Sequence, residues 1–268
     1  MFKIINKIEF NSHENKMKNA DTKTAIEIFN SNKSKNLKFL LAQRFNWMNK
    51  FINDDECGIE FGSGAGFAKY YIKNKNFKIS DLSEDKHLDF KKVDAQSTNF
   101  ENESFDYVIS SNMIHHIPYP VKYLREMNRI LKKNGKLIIF ESYCSIFLQL
   151  ATIIMKHEGF DFTKNVWDEN DPKSDEQNAW AGNIAVPNLL FDDKKSFKEK
   201  MGNNFAIEYE EITEFLIFLN SGGDTSKTFH IPLPFFILKF INFLDKVLVK
   251  ILPNIFGLGR RIVLRKLN

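Results

Sequence analysis

Short apolar runs alternate with amphipathic segments from residue 57 onward. Residues 57–61 read as a buried strand, and 66–74 as the helix that should follow it. Residues 77–80 predict a second strand, with a short helix near 84–90. Residues 105–110, opened by Asp106, alternate as a half-buried strand does. The segment 121–132 sets Leu124, Met127, Ile130 and Leu131 on one helical side; Asn134 and Gly135 stop it, and 136–141 is the next strand. Repeated β-α units predict an α/β fold with a doubly wound sheet.

The flanks are less regular. Residues 1–33 are polar apart from a short helix over 21–30. Ser34 then reads as an N-cap for an amphipathic helix carrying Leu37, Leu40, Leu41, Phe45, Met48, Phe51 and Ile52. Beyond 141 come an apolar helix over 146–156, His157 and Glu158, and an acidic, aromatic loop containing Trp167 and Trp180. A loop of that length in a compact domain suggests a lid whose tryptophans form walls for a substrate. A helix over 197–201, a strand over 206–213, a helix over 235–252 and a last strand over 260–267 complete the chain. Lys239, Asn242, Asp245, Lys246 and Lys250 occupy an arc of about 140° on the 235–252 helix, leaving roughly 220° apolar. Burial on two sides in the core or a homodimer, contact with a bilayer, or a cover over an apolar substrate would each account for it.

The sections are therefore N-terminal helices (1–56), a core (57–145), a lid and helix (146–205) and the end of the sheet (206–268), all within one domain. The chain has 268 residues, 43% of them hydrophobic, which suits one sizeable core. Two cysteines are too few for a disulfide framework or a four-thiolate zinc site. No signal-peptide core or uncharged run of 18 apolar residues occurs, so a cytoplasmic place is expected, with peripheral membrane contact as the variant. Charge is divided: 158–193 holds nine acidic and two basic residues, whereas 225–268 holds eight basic and one acidic. Nucleic acid is disfavoured as a partner by the acidic lid.

Gly62, Ser63, Gly64, Ala65 and Gly66 form a turn that permits close backbone approach by a polar or anionic ligand group. The dinucleotide fingerprint fails, because Phe67 stands where it needs a glycine. Glu60, Gly62, Gly64 and Gly66 instead resemble the first motif, (D/E)-x-G-x-G-x-G, of class I S-adenosyl-L-methionine-dependent methyltransferases. Asp81 ends the second apolar run, Asp94-Ala95 resembles the family's adenine-side motif, and FDYVISSNMIHHI and LKKNGKLII resemble its fourth-strand and L-K-P-G-G-x-L segments. The resemblance covers about 57–145 and implies a Rossmann-like, seven-stranded sheet with S-adenosylmethionine as cofactor. It further implies that Gly62, Ser63, Gly64 and Gly66 meet the methionine part, with Glu60 ordering the turn or accepting from its ammonium. Asp81 would serve the ribose, with the adjacent Leu82 also at the cofactor, Asp94 and Ala95 would serve the adenine, and Ser110 to Asn112 would border the methyl group.

If the acceptor atom carries a proton, a base is needed, and His115 and His116 lie just past the fourth strand. His157 and Glu158 at the start of the lid are second candidates, and His230 a third. Methyl transfer to oxygen of a small molecule, a saccharide or a lipid-linked intermediate is expected, since the (N/D)-P-P-(Y/F) motif of amino-group methyltransferases is absent. The alternative is a methyltransferase-like partner subunit without catalysis. No metal site is expected, because no H-x-x-x-H spacing with supporting carboxylates occurs on one helix.

Overall fold

The computed structural model describes residues 3–9, 22–32, 34–156, 158–223 and 228–268. The first elements are β1 (Lys7–Ile8), α1 (Thr22–Asn30), α2 (Lys35–Phe45), β2 (Gly58–Phe61) and β3 (Phe77–Ile79). They are followed by β4 (Phe105–Ser111), α3 (Pro120–Ile130), β5 (Leu131–Ser142), α4 (Ile146–Met155) and β6 (Phe160–Asp161). The chain continues with α5 (Val186–Phe191), α6 (Lys194–Met201), β7 (Phe205–Thr213), α7 (Leu216–Leu219), α8 (Phe235–Ile251), α9 (Pro253–Phe256) and β8 (Gly259–Lys266).

The main sheet has the order β3-β2-β4-β5-β8-β7. The first four strands are parallel, and β8 enters antiparallel between β5 and β7. Period-two alternation supplies both faces. Ile59, Val108, Leu137, Ile139, Ile262 and Leu264 point to a core shared with Leu124 and Met127 of α3, Leu190 of α5 and Phe197 of α6. Ile79, Ile109, Ile138, Phe140 and Val263 point the other way, onto Phe29 of α1 and Leu37, Leu41 and Phe45 of α2. This is the doubly wound arrangement expected.

Several expectations are corrected. Among the described residues the main sheet has six strands, not seven; at its edge a single parallel bridge, Ser80 to Phe90, stands beside β3. The helix over 66–74 contracts to one 3-10 turn, Phe67–Tyr70. Asparagines compete with its continuation: Asn49 accepts from the Lys73 N–H, and Asn74 donates to the carbonyls of Asn53 and Glu56. No helix forms near 84–90, where the chain turns to bring Asp89 and Phe90 back onto Ile79. Ser34 does not cap α2 with its hydroxyl, which donates instead to the Ser31 carbonyl.

The helix α8 sets part of its apolar arc on the surface, so among the readings offered burial on two sides within the core does not hold. Asp245 is 2% exposed and accepts from the N–H groups of Phe215, Leu216 and Ile217 at 3.2, 3.0 and 3.0 Å, so it holds the start of α7. Leu238 and Val249 face inward with it, whereas Phe236, Phe240, Phe243, Val247 and Ile251 lie on the surface. Three inward N–H donors anchor one carboxylate, and that outweighs the preference of phenylalanine for burial. The apolar surplus is thus not buried within the chain.

Candidate active site

A cavity of about 750 Å³ opens along the carboxyl ends of β2, β3, β4 and β5, where an open α/β sheet takes ligands. Glu60, Gly62, Ser63, Gly64, Asp81, Leu82, Asp94, Ala95 and Asn112 line one end. Two of the expected residues lie off it. Gly66 packs against Ile79 and His87, and Ser110 is buried in the sheet while its neighbour Ser111 reaches the cavity. The alternation of β4 decides the latter, since adjacent strand residues face opposite sides.

The turn after β2 has left-handed backbone at Gly62 (φ 65°) and Gly64 (φ 49°). A Cβ on Gly62 would lie 2.5 Å from Met113 Cγ, whereas one on Gly64 would meet nothing within 4 Å, because that position faces open space. Asp81 accepts from the Gly64 N–H through one oxygen and from the Ser83 N–H through the other, both at 2.9 Å. A carboxylate has about four acceptor sites, so both oxygens keep capacity for a ligand. His87, which the sequence reading passed over, braces the same turn with Nε2 2.7 Å from the Gly64 carbonyl. Asp94 accepts from the backbone and side-chain N–H groups of Gln96.

Glu60 is 2% exposed, and its Oε2 is buried without a hydrogen-bond partner. Burial, with a smaller contribution from the nearby Asp81 charge, pushes its carboxyl up to about 8 despite the opposing Ser63 hydrogen bond.

The other end is formed by the residues after β4, by α4 and by the lid. His115 Nδ1 lies 2.6 Å from Glu141, a fully buried carboxylate that also accepts from the N–H groups of Met113 and Ile114. On the far side His115 Nε2 is 3.3 Å from Glu158, and His116 Nε2 is 3.5 Å from the same carboxylate. Burial disfavours a charged His115 ring, but Glu141 and Glu158 outweigh it and hold the group at about 10. His115 is therefore protonated at neutral pH and is a poor base as it stands. His157 lies outside the described residues. His230 is not part of the cavity lining, being packed beside Gly222.

The lid is held against this end by bonds to backbone carbonyls: Lys173 N–H donates to that of Pro118, the Ser174 hydroxyl to that of His116, and Asn183 N–H to that of His115. Trp180, Asp175 and Glu176 line the cavity, while Trp167 packs on Phe197 in the core and forms no wall. Leu148, Ala151 and Met155 of α4, with Phe218 and Leu258, make an apolar wall.

The fold is a Rossmann-like α/β sheet with a cavity at the carboxyl ends of its parallel strands. Residues 60–139 match the family model described as a methyltransferase domain. A phthiotriol/phenolphthiotriol dimycocerosates methyltransferase of Mycobacterium leprae is 30% identical over 113 residues, 38% of this chain and 41% of that protein. A phosphatidylethanolamine N-methyltransferase of Cereibacter sphaeroides is 22% identical over 81 residues, 30% of this chain and 40% of that protein. The match thus spans about two fifths of either relative. Among solved structures, a SAM-dependent methyltransferase of Methanosarcina mazei superimposes with a TM-score of 0.47 at 15% identity, covering 83% of this chain and 98% of that one.

Proposed function

We propose that the chain transfers a methyl group from S-adenosylmethionine to an oxygen of an acceptor drawn from a lipid surface. The observation that carries the cofactor assignment is Glu60: a buried, unpartnered carboxylate oxygen beside a glycine turn fits the ammonium of the methionine part. Asp81 has oxygens to spare for two ribose hydroxyls, and Asp94 beside the small Ala95 suits an adenine edge. When bound, the cofactor supplies a methyl already activated by its sulfonium, so the protein's work is placement and removal of any proton. Asn112 and Met113 line the cavity together with Trp180, Asp175 and Glu176 of the lid, which limits water in this reading.

Two observations favour a lipid-borne acceptor. The wall of Leu148, Ala151, Met155, Phe218 and Leu258 suits an acyl or prenyl chain. On the outside, Phe236, Phe240, Phe243, Val247 and Ile251 form one stripe of α8, flanked by Lys239, Lys246 and Lys250, the pattern of a helix lying on an anionic bilayer. Among the described residues no helix is long and apolar enough to cross a membrane. The relatives named for a dimycocerosate and for phosphatidylethanolamine lend support of the same kind.

Calorimetry on the full chain tests the cofactor: S-adenosylhomocysteine should bind and NAD should not, and failure of the former ends the proposal. Sedimentation with phosphatidylglycerol vesicles tests the surface. F240E/F243E should release the chain while S-adenosylhomocysteine affinity stays unchanged; undiminished vesicle binding would remove the lipid part.

A further inference from the structure

The geometry points to a divalent-metal site, of zinc type, held by His115 Nε2, His116 Nε2 and the Glu158 carboxylate at the acceptor end of the cavity. The three donors lie within 4.8 Å of one another, with Nε2 to oxygen separations of 3.3 and 3.5 Å. Ligand atoms about 2.0–2.1 Å from a tetrahedral zinc are separated by about 3.3–3.4 Å, and each histidine nitrogen stands near that distance from one oxygen of the Glu158 carboxylate, His115 from Oε2 and His116 from Oε1. These separations are long for charge-assisted hydrogen bonds, which run about 2.7–2.9 Å. The other nitrogen of the same His115 ring does make a short contact, 2.6 Å to Glu141.

That short contact is the support a metal-bound imidazole needs. Glu141 is fixed by the Met113 and Ile114 N–H groups, at 2.7 and 2.5 Å. It takes a proton-bearing Nδ1 and directs Nε2 toward Glu158, the carboxylate–histidine–metal order found behind many zinc ligands. The lid holds both rings from the opposite side: a Cβ on Gly182 would lie 2.7 Å from His115 Cδ2 and 3.0 Å from His116 Nδ1. Two nitrogens and one oxygen leave a fourth position, and all three residues line the cavity. Zinc suits such a mixed set.

The binding stands on this geometry alone, whereas its use rests on the methyl-transfer reading. A cation here would lower the pKa of an approaching acceptor hydroxyl.

The test is titration of the chelator-treated full chain with Co(II), followed by displacement with Zn(II). One equivalent of Co(II) with the intense visible band of a tetrahedral ion is expected. Binding should be lost in His116→Ala and in the isosteric Glu158→Gln, and weakened about 10- to 100-fold in Glu141→Gln; far-UV circular dichroism checks each fold. Absence of Co(II) uptake by the wild type, or uptake surviving both ligand variants, overturns the site. S-adenosylhomocysteine binding measured on the same preparation keeps the two claims apart: binding without metal uptake defeats only the metal.

Discussion

If Glu60 meets the ammonium of the cofactor, as proposed, affinity depends on pH in a defined way. In the unliganded chain burial holds its carboxyl at about 8, and the ammonium of the ligand needs the ionised form. Binding below pH 8 therefore expels a proton. With a pKa of about 8, roughly 3% of the carboxyl is ionised at pH 6.5, a handicap of about 2 kcal/mol. Affinity for S-adenosylhomocysteine should climb about tenfold per pH unit from about pH 6 to 7.5. At higher pH it should fall again, once the α-amino group of the ligand loses its own proton. Calorimetry across pH 6 to 9.5, in buffers of differing ionisation enthalpy, reads both the affinity and the proton released. Glu60→Gln should flatten the acid limb, and methylthioadenosine, which lacks the amino-acid part, should show no limb at all. In the empty chain the same raised pKa makes stability fall as pH rises from about 4.5 to about 8, since the folded state holds the extra proton. A flat wild-type profile between pH 6 and 8, or an acid limb that persists in Glu60→Gln, would refute the assignment.

Two further outcomes follow from named contacts. Asp81→Ala removes the acceptor proposed for the ribose and the partner of the Gly64 N–H; at about 1.5–3 kcal/mol per charge-assisted bond, affinity for S-adenosylhomocysteine should drop at least tenfold, and unchanged affinity would dismiss the role. Arg44 and Glu214 form a two-pronged buried pair at 2.9 Å that ties α2 to the segment after β7. Glu214→Ala should cost about 3–5 kcal/mol in urea unfolding, and a loss under 1 kcal/mol would show that the pair contributes little.

Much of the sheet was legible because its signals are local. Strands β2, β4, β5, β7 and β8 alternate or run apolar, and the acidic residues and glycines of the cofactor end lie at strand tips, so chain order alone brings them to one edge. Where local signals compete, the reading failed. The helix after Gly66 lost to asparagine side chains that bond backbone elsewhere, and the loop over 81–93 bends back through Asp89.

The acceptor end could not be read in this way. His115 and His116 were visible as an adjacent pair, but their meeting with Glu141 and Glu158 joins residues 26 and more positions apart through β5 and the lid. No spacing rule for ligands on one helix applies to it. The sense of α8 was likewise hidden, because its apolar arc reads alike whether buried or exposed; three N–H groups at the start of α7 claim Asp245 and turn the phenylalanines outward. Periodicity thus determined which residues share a face of an element. Which way that face points, and which distant carboxylate meets which histidine, was decided by hydrogen-bond demand that arises only once the elements pack.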